Sequence, residues 1–150
     1  MIHLHIRPFV ESDAADLAAF MHHWGEFPAG LTPADIVQQV SHCRQKVSGD
    51  LFLAFAAEHK EQIVGYLQMS EVSLVCFPPG AEVSAILVHR EMRGCGIGSQ
   101  LIAFARTWAM DRGLRRLLLS SQQHREAAHR FYERHGFRRW KESFFFELSW

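Results

Sequence analysis

The sequence predicts a mixed α/β or α+β sheet domain, and three observations carry that reading. Apolar residues recur at a period of two in some segments and at helical spacing in others, in the order β-α-α-β-β-β-α-β-α-β-β. A turn with three glycines, Gly94, Gly96 and Gly98, joins an apolar strand to an amphipathic helix. The 150 residues, 48% hydrophobic and 21% charged, suit one globular domain over 1–150 that buries most of its unfolded surface.

Met1 to Arg7 alternates Ile2, Leu4 and Ile6 against His3, His5 and Arg7, which is a strand. Ser12 and Asp13 cap a helix whose Leu17, Phe20, Met21 and Trp24 recur at helical spacing. Thr32-Pro33-Ala34-Asp35 opens a second helix, with a hydroxyl cap, a proline in the first turn and a carboxylate near the dipole. Ile36, Val40, Cys43 and Val47 form its apolar face. Leu51 to Ala57 and Gln62 to Met69 read as a hairpin around His59-Lys60-Glu61, followed by a Pro78-Pro79 loop over Val75 to Gly80. Val83 to Val88 is a short apolar strand. After the glycine turn, a helix shows Ile97, Leu101, Phe104, Ala105 and Trp108 on one face and stops at Gly113. Arg116 to Ser120 is another strand, and a last helix runs from Glu126 to His135 and ends at Gly136. Phe137 to Trp140 and Phe144 to Leu148 read as two closing strands.

Composition narrows the function classes. Sixteen basic residues balance sixteen acidic ones, so no net field draws nucleic acid or an acidic membrane. No apolar run approaches the ~18 residues of a bilayer span, and the N-terminus lacks the pattern of a signal peptide. Cys43, Cys76 and Cys95 are an odd number without C-x-x-C spacing, which argues against a disulfide framework or thiolate zinc site and for a reducing cytoplasm. Ten histidines include no H-E-x-x-H and no Cys/His cluster, so no metal site is expected. His124, His129 and His135 sit around the last helix, where each reads either as a surface or capping residue or as a border of the ligand site.

The glycine turn carries the chemistry. Glycines let several N–H groups point outward together, and the helix N-terminus adds a partial positive charge, which suits a phosphate or pyrophosphate. The bland alternative is a tight turn needing positive φ. A Walker loop would need a lysine that is absent, and a dinucleotide G-x-G-x-x-G fails at Ser99. An α/β nucleotide-binding protein with another phosphate ligand therefore fits less well. The pattern present is Arg93-x-x-Gly96-x-Gly98.

That pattern, within Ile86 to Gly98, resembles the pyrophosphate-binding signature of the GNAT N-acetyltransferase superfamily. Ala128-x-x-Phe131-Tyr132-x-x-x-Gly136-Phe137 resembles its second signature, Ile6-Arg7-Pro8 with Asp13 its opening, and Val64-Gly65-Tyr66 its third strand. The resemblance implies the GNAT acyl-CoA N-acyltransferase fold, a central mixed sheet flanked by about four helices, with acetyl-CoA as cosubstrate. It further implies that acetyl-CoA lies in a V-shaped opening between the fourth and fifth strands. Backbone groups of Ile86, Leu87 and Val88 would face the acyl-pantetheine arm. Arg93, Gly94, Cys95, Gly96, Ile97, Gly98 and Ser99 would wrap the pyrophosphate, Cys95 through its backbone. Tyr132 would protonate the departing CoA thiolate; its other reading is an aromatic anchor for the last helix, a task Phe131 does without needing a hydrogen-bond partner.

Two positions depart from the commonest pattern. Arg125 stands where many members carry an Asn that contacts CoA, and either contacts a phosphate or the pantetheine arm or sits on the surface. Ser84 stands where a fourth-strand carboxylate often takes the amine proton; Glu82 and Glu71 are the substitutes in reach, each also readable as a solvated surface group. The resemblance thus implies direct transfer of acetyl to a small-molecule or peptide amine in a ternary complex. A non-catalytic acyl-CoA-binding sensor or interaction module of the same fold is the alternative, and the aromatic tail offers a surface for a homodimer.

Overall fold

The computed structural model describes residues 2–24, 27, 30–47, 49–56 and 62–150. The expected turn at His59-Lys60-Glu61 lies outside them. The chain divides into two compact units, Met1–Ser120 and Ser121–Trp150.

The first unit holds a five-stranded sheet whose spatial order is the sequence order: β1 (Leu4–Pro8), β2 (Gly49–Ala56), β3 (Ile63–Val72), β4 (Gly80–Val88) and β5 (Arg116–Leu119). Neighbours run antiparallel as far as β4, whereas β4 and β5 are parallel. A parallel pair needs a crossover, and α3 (Ile97–Asp111) supplies it. Between β1 and β2 the chain forms α1 (Ala14–Trp24) and α2 (Pro33–His42).

Both sheet faces are covered at the centre, which is why β2 and β3 read as nearly continuous apolar runs while the edge strand β1 alternates. Leu17, Phe20, Met21 and Trp24 of α1 and Ile36 and Val40 of α2 pack with Leu51, Leu53, Tyr66 and Leu87. On the other face Ile97, Leu101, Ala105 and Trp108 of α3 pack with Phe52, Ala54, Leu67, Met69 and Val83. Thr32 caps α2 as its sequence foretold: the Asp35 N–H donates to Thr32 Oγ1 (3.2 Å), and the Thr32 N–H donates to the Asp35 carboxylate (2.8 Å). Asp13 is buried beneath the start of α1, where it accepts from both Arg7 guanidinium arms (2.8 and 2.7 Å) and from the Val10 N–H (2.8 Å).

Three expectations change. The second helix does not run unbroken to Val47; it ends at His42 and passes into a wider π-type turn, Cys43–Val47, from which Arg44 donates to the Phe9 carbonyl (2.7 Å). β4 begins at Gly80 rather than Val83, because Gly80, Ala81 and Glu82 pair with both neighbours. A Cβ on Gly80 would stand 3.1 Å from Arg116 Cβ, so the close approach of β5 depends on a glycine that reads in isolation as loop.

The largest correction concerns the tail. Residues 137–150 form no strand, and Phe144, Phe145, Phe146, Leu148 and Trp150 are each at least 83% exposed. Strand formers build a strand only against a partner ladder, and no described segment pairs with this stretch. Three consecutive phenylalanines would also put apolar rings on both faces, so a strand there needs cover on two sides. The remainder of the second unit is α4 (Glu126–Arg134), closed as expected at Gly136, which adopts φ +87°.

Candidate active site

The site begins where two strands part. The β4–β5 ladder pairs Gly80 with Arg116, Ala81 with Leu117, Glu82 with Leu118 and Val83 with Leu119, and there it ends. β4 continues to Val88 along β3 alone, because β5 stops at Leu119. The register with β3 jumps at the same place: Met69 faces Val83 and Gln68 faces Ala85, leaving Ser84 as an extra residue. Such a bulge bends and twists the strand that carries it. It also reverses the alternation. Ala81 and Val83 pack on the α3 face, as do Ile86 and Val88, whereas Ala85 and Leu87 pack on the other. Simple period-two reading of Glu82 and Ser84 misses this switch.

Beyond Val83, β4 therefore carries a backbone edge, Ser84 to Val88, that no described strand pairs on the β5 side. Beyond it the His89 N–H donates to the Val64 carbonyl (2.9 Å), toward β3. Successive strand amides point to opposite edges, so the Val88 N–H faces the open side, as does that of Ile86.

From Val88 the chain enters the glycine turn. Arg90–Met92 forms one 3₁₀ turn, Arg93 is extended, and Gly94 and Gly96 adopt φ +80° and +82°. A Cβ on either glycine would meet nothing within 4 Å, so conformation and not crowding requires glycine there. Gly96 is the N-cap of α3 and brings no side chain to cap it. The first α-helical bond runs from the Gln100 N–H to the Gly96 carbonyl (3.1 Å), so the N–H groups before it, including those of Ile97 and Gly98, point off the helix end. Gly65 lets this end sit low on the sheet: a Cβ there would stand 3.1 to 3.3 Å from Ala54, Leu101 and Ile97. Cys95 is exposed, its thiol directed at the Arg93 carbonyl (4.0 Å).

Two features of this region carried no sequence signal. The Arg93 guanidinium lies over the ring of Trp24, with Cζ 4.7 Å from the centroid, although 69 residues separate them in the chain. The His89 ring stacks on His23 (5.7 Å, 23°), and both line a shallow cleft of about 370 Å³ with His22, Arg90 and Glu91. Trp24 and His23 read as the end of an amphipathic helix, and only the fold carries them to β4.

In the second unit, Tyr132 lies on α4, part-buried between Phe131 (5.4 Å, edge-on) and Phe137 (5.9 Å, edge-on). Burial raises its pKa above the ordinary phenol value, and the Arg125 charge opposes that rise. Arg125 occupies the N-cap of α4 and makes no side-chain cap bond. Both helix-flanking histidines bond main-chain carbonyls: His129 Nε2 with that of Gln122 (3.0 Å) and His135 Nδ1 with that of Phe131 (2.8 Å). Of the two candidate bases, Glu71 on β3 faces Ala81, where β4 is still paired with β5 in the β4–β5 ladder, and Glu71 pairs with Arg112 (3.8 Å). Glu82 lies one residue before the end of that ladder and is half-buried.

The topology and the parted strands define a GNAT-like mixed sheet, and comparison with known proteins agrees. The model of the acetyltransferase (GNAT) family matches residues 17–137. The chain belongs to that family. A transcriptional regulator from Bacillus halodurans has the same fold at 26% identity and TM-score 0.81, covering 97% of this chain and 100% of that one. So does an acetyltransferase from Trypanosoma brucei, at 20% identity and TM-score 0.81, with 97% and 100% covered. A third is AAC(6')-Iy in complex with the bisubstrate analogue CoA-S-monomethyl-acetylneamine, at 18% identity and TM-score 0.77, with 98% and 99% covered. No curated protein sequence matches the chain.

Proposed function

We propose that the protein transfers an acetyl group from acetyl-CoA to a primary amine on a small molecule or peptide, by direct attack in a ternary complex. The observation that carries this reading is the parting of β4 from β5 at the Ser84 bulge, where an open backbone edge leads straight into an uncapped helix N-terminus. An extended amide arm and a pyrophosphate, joined end to end, match that sequence of groups.

Backbone amides at Ile86 and Val88 hold the acyl-pantetheine arm, with Leu87 between them. Arg93 through Ser99 wrap the pyrophosphate. An N–H on the open edge polarises the thioester carbonyl as the amine attacks. The C–N bond forms, the C–S bond breaks, and the proton lost by nitrogen leaves to a base or to solvent. Tyr132 donates to the departing thiolate; a phenol of ordinary pKa near ~10 is protonated at neutral pH, and burial only strengthens that state. Arg125 adds positive charge beside it. A lysine-like amine titrates ~3 units above neutrality, so presenting it neutral costs about 4 kcal/mol. Glu82 is the better carboxylate for that task, because Glu71 is engaged by Arg112.

A non-catalytic acyl-CoA-binding module is the second reading, favoured by Ser84 at the usual place of a carboxylate. Similarity to a protein described as a transcriptional regulator points the same way. Thiol release from acetyl-CoA across a broad amine panel separates the two. Turnover with any amine supports the transferase; tight acetyl-CoA binding without turnover on the whole panel supports the module.

A further inference from the structure

We infer that Trp24 is a positioning residue for cofactor phosphate: it holds the Arg93 guanidinium at the mouth of the glycine turn, ready for an anionic oxygen. The inference rests on the reading of that turn as a pyrophosphate site and adds the residue that preorganises its side-chain cation.

Trp24 is the last residue of α1 and is 6% exposed, packed in the same core cluster as Phe20 and Leu87. Its ring is therefore a fixed surface. Arg93 is exposed and sits between the 3₁₀ turn and Gly94, with its guanidinium carbon 4.7 Å from the indole centroid. That distance lies within the range in which an aromatic face attracts a cation, and tryptophan offers the strongest such face. A cation–π contact engages the guanidinium's charge and not its N–H groups, so all five donors stay available to an anion. Among the described residues those donors have no hydrogen-bond or carboxylate partner.

The backbone of the turn supplies N–H dipoles but no full charge. Arg93 supplies one, and a free arginine side chain would lose rotamer freedom on meeting a phosphate. The indole removes that freedom before the ligand arrives. The contact joins the end of α1 to the loop before α3, so it also ties cofactor binding to the helix on the opposite sheet face.

The test is a comparison of two ligands by calorimetry: CoA, which carries the phosphates, and pantetheine, which carries only the arm. Trp24→Leu is expected to weaken CoA about threefold to thirtyfold, the range of a cation–π contact, and to change pantetheine less than twofold. Arg93→Met is expected to weaken CoA at least as much, and the double variant to lose no more than Arg93→Met alone. Equal weakening of both ligands, or additive losses in the double variant, would overturn the clamp and leave Trp24 as core packing. If the leucine variant does not fold, Trp24→Phe carries the test; an unchanged CoA affinity there overturns the clamp, and a twofold to fivefold loss supports it. A wild-type protein that binds CoA no better than pantetheine removes the phosphate reading of the turn itself, an outcome distinct from the clamp failing alone.

Discussion

At the scale of single residues, Asp13 and Tyr132 make opposite predictions. Burial acts against the Asp13 charge, but the Arg7 hydrogen bond, the Val10 N–H and the Arg7 charge outweigh it and hold the carboxyl below its ordinary pKa. Stability from Asp13 is therefore present above the unfolded carboxylate value near ~3.9 and is lost as pH falls through the lower folded value. Asp13→Asn is expected to cost about 1–3 kcal/mol at pH 7, with wild type and variant converging in urea melts as pH falls below the lowered folded value. Tyr132→Phe keeps both edge-on ring contacts and removes only the donor. Melting temperature and acetyl-CoA affinity should hardly move, while kcat falls roughly 10²-fold. That loss should shrink with acyl donors whose leaving thiol is more acidic. A stability loss as large as the rate loss would assign Tyr132 to packing.

Among elements, the β4–turn–α3 unit concentrates what the chain requires of glycine. Gly96→Val forces a β-branched residue to φ +82° with open space around its Cβ, so the strain is local to the turn. The apo melting temperature should fall modestly, while the upward shift produced by millimolar acetyl-CoA disappears. Gly65→Ala works by contact instead: its methyl would press on Ala54, Leu101 and Ile97 at 3.1 to 3.3 Å. Lifting the first turn of α3 is expected to cost about 1–2 kcal/mol and to weaken CoA more than pantetheine. The turn was legible in the sequence because positive φ strongly favours glycine, a preference set by the residue's own backbone. The Ser84 bulge was not: Ser-Ala-Ile-Leu-Val reads as an ordinary strand end, and an extra residue shows only against the partner register.

For the whole molecule, the consequence of an unpaired tail is association. Phe144, Phe145 and Phe146 are 83% to 94% exposed side by side, the kind of apolar surface that monomers rarely present to water. Light scattering on a sizing column is expected to give a mass above that of one chain, rising with concentration. A variant with all three changed to serine should run as a single chain. What the sequence determined by itself was local. Thr32 capping α2, Gly94 and Gly96 bending the turn, and the apolar stripes of α1 and α3 follow from each segment's own residues, because caps, φ angles and periodicity need no distant partner. Only the tertiary structure decided the rest: where β4 leaves β5, which face Ile86 and Val88 take, that Trp24 lies under Arg93, and that the aromatic tail lacks a ladder. Each depends on pairing or contact between segments far apart in the chain, and such contacts are energies of two surfaces together, which neither surface records alone.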